Sequence, residues 1–127
     1  MQEKHLYEYA VIRVVPRVER EEFLNVGIIL FCKRAKFIKM LFVVEKSKIQ
    51  LFSSELDLEQ LQLNLESFQK VAHGLKNGGP IAQFELSERF RWLTALRSSA
   101  IQTSRPHSGF SDNLAHTTKR LFEEMVL

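Results

Sequence analysis

Along residues 7–16, YEYAVIRVVP, side chains alternate at a period of two. Tyr7, Tyr9, Val11, Arg13 and Val15 share one face, and Glu8, Ala10, Ile12 and Val14 share the other. Both faces are mostly apolar, which suits a strand inside a sheet, and Pro16 ends it by removing a ladder donor. A second strand is predicted over 23–32, FLNVGIILFC, with Leu24, Val26, Ile28, Leu30 and Cys32 on one side and Asn25, Gly27, Ile29 and Phe31 on the other. The short polar KRAK (33–36) implies a hairpin into a third strand over 37–44. IQLF (49–52) reads as a short edge segment or a turn.

The period then lengthens. Leu58, Leu61, Leu65, Phe68, Ala72 and Leu75 recur at spacings of three and four, the apolar stripe of a helix capped by Ser54 or Asp57, and KNGGP (76–80) ends it. Gln60 stands three residues after Asp57, as a capping box requires. A second helix is predicted from a Ser87 cap to about Ser98, with Phe90, Leu93 and Leu96 inward and Trp92 and Ala95 widening the stripe. IQTS (101–104) reads as a strand returning to the sheet. A last helix starts after Ser111 or Asp112, with Leu114, Leu121, Phe122 and Met125 inward. The order β-β-β-α-α-β-α predicts an α+β fold: an antiparallel sheet, made of a three-strand N-terminal meander and a late returning strand, packed by three helices on one face. No repeat or linker divides the chain, so residues 1–127 read as a single domain.

Composition narrows the class of protein. Hydrophobic residues make up 45% and charged residues 26%, a globular balance that can fill one core. The net charge of +3 is mild, and in PRVEREEF (16–23) acids and bases are interleaved, the pattern of a solvated loop and not of a nucleic-acid stripe. Cys32 is the single cysteine, which excludes an internal disulfide and a multi-cysteine metal site. The N-terminal residues lack a signal-peptide apolar run, and no apolar stretch is long enough to span a bilayer, so a cytoplasmic location without membrane contact is expected.

Two segments carry a resemblance. RVVPRVEREEFLNVGIILF (13–31) and IQTSRPHSGFSDN (101–113) hold Arg13-x-x-Pro16, Glu22-x-x-Asn25-x-Gly27 and His107-x-Gly109 in the order and spacing of a bacterial family, domain of unknown function 3037. The resemblance covers nearly the whole chain. It implies a single-domain cytoplasmic protein, and a gene neighbourhood that includes kinases similar to the HipA toxin. It brings no activity, cofactor or catalytic residue.

The candidate residues are those that interrupt clean apolar patterns: Arg13, Glu22, Asn25, Gly27, Arg105, His107 and Gly109. Arg13 interrupts an apolar strand face and needs an acid, carbonyls or solvent. It reads either as a structural pair with Glu22 or another acid, or as an anion-binding fork. Gly27 inside a strand marks a bulge or a close approach, either under a packed neighbour such as Trp92 or as the floor of a pocket with Asn25 on its wall. Pro106 holds Arg105 extended, and His107, Ser108 and Gly109 read as a turn before a helix start. That start suits a phosphate or carboxylate, unless the Asp112 carboxylate caps it instead.

Adjacency alone does not make His107 and Ser108 a nucleophile–base pair. The spacings of His5, His73, His107 and His116 match no metal signature, and His73 and His116 read as helix-surface residues. Lys33, Arg34, Lys36, Lys39, Lys46 and Lys48 collect around the hairpin, but Phe37 and Phe42 beside them point to opposite faces. These residues favour a non-enzymatic binding or protein-interaction module without cofactor, the candidate partner being a HipA-like kinase. Two alternatives stay open. One is an enzyme acting on a phosphate-bearing substrate, with Arg13 and Arg105 holding the anion and His107 as acid or base. The other is a single-stranded nucleic-acid binder.

Overall fold

The computed structural model describes residues 4–95 and 99–127, which form an α+β fold of five strands and four α-helices. The strands are β1 (His5–Val14), β2 (Leu24–Cys32), β3 (Phe37–Phe42), β4 (Ile101–Thr103) and β5 (His107–Ser111). The helices are α1 (Lys46–Phe52), α2 (Leu58–Ala72), α3 (Leu86–Leu93) and α4 (Leu114–Met125). All strand pairs are antiparallel, in the order β3-β2-β1, with β4 and β5 both pairing with the far side of β1. The apolar character of both faces of 7–16 thus has its physical reason: β1 is bonded on both edges and covered on both faces.

The returning segment is longer than periodicity indicates. His107–Ser111 is a strand, paired from His5↔Ser111 to Tyr9↔His107, and not a turn. Between Tyr9↔His107 and the Val11–Ser104 backbone bond, Arg105 and Pro106 together stand opposite the single Ala10. This is a β-bulge, and it accommodates a proline that has no N–H to offer the ladder. Seen from the sequence alone, the Pro-His-Ser-Gly run carries turn residues; the backbone bonds available from β1 override them.

Helices cover both faces rather than one. Ala10, Ile12, Val14, Ile29, Phe31 and Met40 pack with Leu61, Leu65, Phe68 and Ala72 of α2 and Phe90 and Leu93 of α3. Val11, Ile28, Leu30 and Cys32 pack on the opposite face with Leu114 and Leu121 of α4, and Val126 just beyond it. Strand alternation sends neighbours to opposite faces, so two apolar sets on each strand require two covers.

Side-chain caps fix the starts of α2 and α4, whereas α3 starts after Glu85 with the expected cap Ser87 inside it, and α2 ends at Ala72, ahead of KNGGP. Asp57 caps α2, its Oδ1 accepting from the Gln60 amide at 3.1 Å. The cap of α4 is Asn113, accepting from the His116 amide at 3.1 Å, and not Ser111 or Asp112; Ser111 is the last residue of β5. Lys46–Phe52 is a helix, not an edge strand, and seats Ile49 in the core. The helix α3 starts at Leu86 and ends at Leu93, and the predicted extension to Leu96 and Ser98 lies outside the described residues. Met125 is exposed, and Val126 takes the inward place in its stead. No helix among the described residues is long and apolar enough to cross a membrane.

Candidate binding surfaces

The structure gives each candidate residue a location, and it divides them. In β2 the register against β1 runs Ile12↔Gly27 and then Arg13↔Asn25, so Val26 is an extra residue in a bulge. The bulge reverses the alternation. Asn25 and Gly27, expected to face together, point to opposite sides: Gly27 shares the face of Ile12, and Asn25 that of Arg13. A Cβ on Gly27 would stand 2.8 Å from the Leu41 carbonyl oxygen and 3.3 Å from Ile12 Cδ1. Gly27 is therefore a packed seam beneath β3, neither a pocket floor nor a seat for Trp92.

Asn25 supports the end of α4. Its Nδ2 donates to the Met125 carbonyl at 3.0 Å, and Lys48 Nζ from α1 donates to the Val126 carbonyl at 3.2 Å. These carbonyls have no intrahelical partner, and a cationic donor also suits the negative end of the helix dipole. Arg13 makes no ion pair with Glu22. Its guanidinium carbon lies 4.0 Å from the centre of the Phe23 ring, and burial lowers its pKa. Arg13 Nε and Asn25 Oδ1, a donor and an acceptor on directly paired residues, are buried without a hydrogen-bond partner. Glu22 pairs with Arg20 in the loop before β2.

His107 and Gly109 lie across β1 from these groups. The His107 ring packs at a tilt of 37° against Tyr9, with centroids 5.4 Å apart, and the Tyr7 ring lies over Gly109, where a Cβ would come within 2.5 Å of the tyrosine oxygen. Arg105 is exposed in the bulge. His107 pairs with Tyr9, four residues from Arg13 along β1, or about 13 Å at the rise of a strand. The segments 105–109 and 25–27 do not meet around a hollow, because β1 lies between them and is bonded to both.

Asn25 and Lys48 line a small hollow of about 200 Å³ with Phe23, Leu24, Met125 and Val126, and larger concave surfaces lie elsewhere. A mostly apolar hollow of about 620 Å³ opens between β3 and α4, with Phe37, Leu41, Ala115, Phe122 and Leu127 as its apolar lining and Lys39, Lys119 and Glu123 among its polar groups. A polar hollow of about 400 Å³ beside Pro16 holds Arg17, Arg20, Glu22 and Glu55, and each arginine there is paired with a glutamate. A third, of about 500 Å³, lies along the open edge of β3 and is lined by Lys36, Phe37, Ile38, Lys39, His73, Leu86 and Arg89.

His73 was expected on the helix surface, but it is the C-terminal cap of α2 and is half-buried. Its Nε2 accepts from the Met40 amide at 3.1 Å, while Gln69 Nε2 donates to the Met40 carbonyl at 3.0 Å. The two α2 side chains take the backbone bonds that another strand beside β3 would make. Accepting at Nε2 requires a neutral ring protonated at Nδ1. Burial, and then the nearby charges of Lys39 and Arg89, push the His73 pKa down and favour that neutral form. No sequence signal points to this clamp, because its partner is a backbone amide 33 residues away. Among the described residues, no group of three or more His, Cys, Asp or Glu side chains is placed to hold a metal ion.

The fold and surfaces together define an α+β protein whose central strand is bonded on both edges, with concave surfaces along the outer strand β3. The family model described as Protein of unknown function (DUF3037) matches residues 9–126, and the chain belongs to that family. Neither the curated proteins nor the solved structures contain a match.

Proposed function

We propose that the protein is a non-enzymatic protein-interaction module that receives an apolar stripe of a partner in the hollow between β3 and α4. The observation that carries this reading is the hollow itself: about 620 Å³, with an apolar lining and a polar rim of Lys39, Lys119 and Glu123. This is the make-up of a protein docking site. Strand addition to β3 is opposed at Met40, whose amide and carbonyl are already held by His73 and Gln69. The partner therefore enters by side chains, as an amphipathic helix does in a groove. With two lysines against one glutamate, the rim favours acidic residues beside the partner's apolar stripe. A kinase similar to the HipA toxin is the candidate partner, on the strength of the family's gene neighbourhood.

Ala115 is exposed, lines the hollow and belongs to no core cluster. Ala115→Arg is expected to fill the hollow while leaving the melting temperature within a few degrees of the parent. Co-purification with the kinase should survive in the parent and fall by at least about tenfold in the variant, the effect of losing one well-packed anchor. Parent and kinase eluting as two separate peaks after mixing would remove this partner, and unchanged capture by Ala115→Arg would remove this surface.

A further inference from the structure

The hollow of about 500 Å³ beside β3 differs from the polar hollow at Pro16 in one respect that matters chemically. At Pro16 the arginines are compensated by Glu22 and Glu55. In the hollow beside β3 the ionisable lining consists of Lys36, Lys39, Arg89 and His73, with no carboxylate among the lining residues. Among the described residues, no acid lies within ion-pair distance of any of the four.

The floor is Phe37, Ile38 and Leu86. Arg89 comes from α3 and lies against Gly74 at the end of α2. Among the described residues its guanidinium makes a single, long hydrogen bond, Nη1 to the Ala82 carbonyl at 3.5 Å, and its Nε is buried without a partner. The helix end accounts for some of the attraction that holds a cation there. It leaves the planar guanidinium short of acceptors, with two lysines on the same hollow. Because His73 Nε2 is occupied by the Met40 amide, the hydrogen of its neutral ring is on Nδ1, an N–H donor on a ring that lines the hollow.

We infer that this hollow is a binding site for a small phosphate monoester carrying an apolar group. Lys36, Lys39 and Arg89 hold the dianion, and Phe37, Ile38 and Leu86 cover the apolar part. A dianion matches three fixed positive charges better than a carboxylate does, and an arginine fork suits phosphate oxygens in pairs. The site lies along the open edge of β3, beside His73 at the end of α2 and Leu86 and Arg89 of α3, and shares Phe37 and Lys39 with the docking hollow. The two proposals stand or fall separately.

The test is an NMR titration of the full chain, at constant ionic strength and at pH 7.5, with phenyl phosphate, inorganic phosphate and a short oligothymidylate as probes. Phenyl phosphate should shift Lys39, His73 and Arg89 signals saturably in the millimolar range, and should bind more tightly than inorganic phosphate by about tenfold as its ring is buried. Arg89→Gln should weaken it by about tenfold, as the loss of one charge-assisted bond requires. Lys39→Gln changes an exposed side chain and should weaken it in the same direction, which keeps the test meaningful if Arg89→Gln unfolds the protein. Lys46→Gln, on α1 and outside the hollow, should leave binding unchanged. Shifts that do not saturate, or equal binding by parent and Lys39→Gln, overturn the inference. So does a saturable response to oligothymidylate alone, which would assign the cations to nucleic acid. Loss of phenyl phosphate binding in Ala115→Arg would put the ligand in the other hollow and equally overturn it.

Discussion

Gly27 shows how little of a residue's role lies in its type. A glycine in a strand signals either a bulge or a close approach, and here both are present, with Val26 as the extra residue and the Leu41 carbonyl in the place of a side chain. Gly27→Ala is therefore expected to cost about 1–3 kcal/mol, the usual penalty for overpacking, because the obstructing atom belongs to the backbone. A shift of the denaturant midpoint at unchanged slope would register it, and a neutral result would mean that the strands separate more easily than their pairing indicates. Asn25 and Gly109 follow the same pattern. Three of the residues that mark the family resemblance have structural partners: Met125 for Asn25, Tyr7 for Gly109, Phe23 for Arg13. The sequence singled out these positions as interruptions of apolar patterns. Their partners were not legible, since each contact joins segments that are remote in the chain or depends on a bulge.

At the scale of elements, the edge of β3 depends on a neutral histidine. The folded state lowers the His73 pKa below its ordinary 6.5 through burial, then Lys39, then Arg89. The unfolded chain therefore binds more protons, and stability rises with pH. This contribution is fully present above pH 6.5 and is lost as pH falls below it toward the depressed folded value. Protonation would also place a hydrogen on Nε2, facing the Met40 amide hydrogen. Melting temperature is expected to drop between pH 7.5 and pH 5.5 in the parent. His73→Gln keeps an acceptor but does not titrate in this range, so its profile should be flatter. A parallel fall in both chains would assign the pH response to other groups. The helices were legible here because apolar spacing and a capping aspartate are local. The clamp was not, because the stripe of α2 says which side is buried and nothing about which strand lies beneath its last turn.

For the whole molecule, the consequence is a sheet enclosed by two unequal covers. Among the described helices, α4 alone packs over Ile28, Leu30 and Cys32, whereas α1, α2 and α3 share the other face. The Asn113 cap holds the start of α4, and Asn25 and Lys48 hold its end. Cys32 is fully buried, so its reaction with an aromatic disulfide reagent reports the opening of this layer. Asn113→Ala removes about 1 kcal/mol of capping and is expected to raise the labelling rate about fivefold, provided opening limits the reaction. Equal rates in the two chains would mean that Cys32 is reached by a route that leaves α4 in place.

The amino-acid order alone determined the α+β class, the β1-β2-β3 meander, the stripes of the long helices and the apolar nature of both faces of the central strand. Each of these follows from spacing within a dozen residues, where backbone geometry converts period into direction. Only the tertiary structure decided that His107–Ser111 is a strand, that α4 covers a face of its own, that Asn25 and Gly27 part company, and that His73 serves an edge strand. The physical reason is common to all four. A bulge, a strand partner and a side-chain clamp are settled by hydrogen bonds between distant segments, and those bonds outweigh the weak local preferences of the residues that make them.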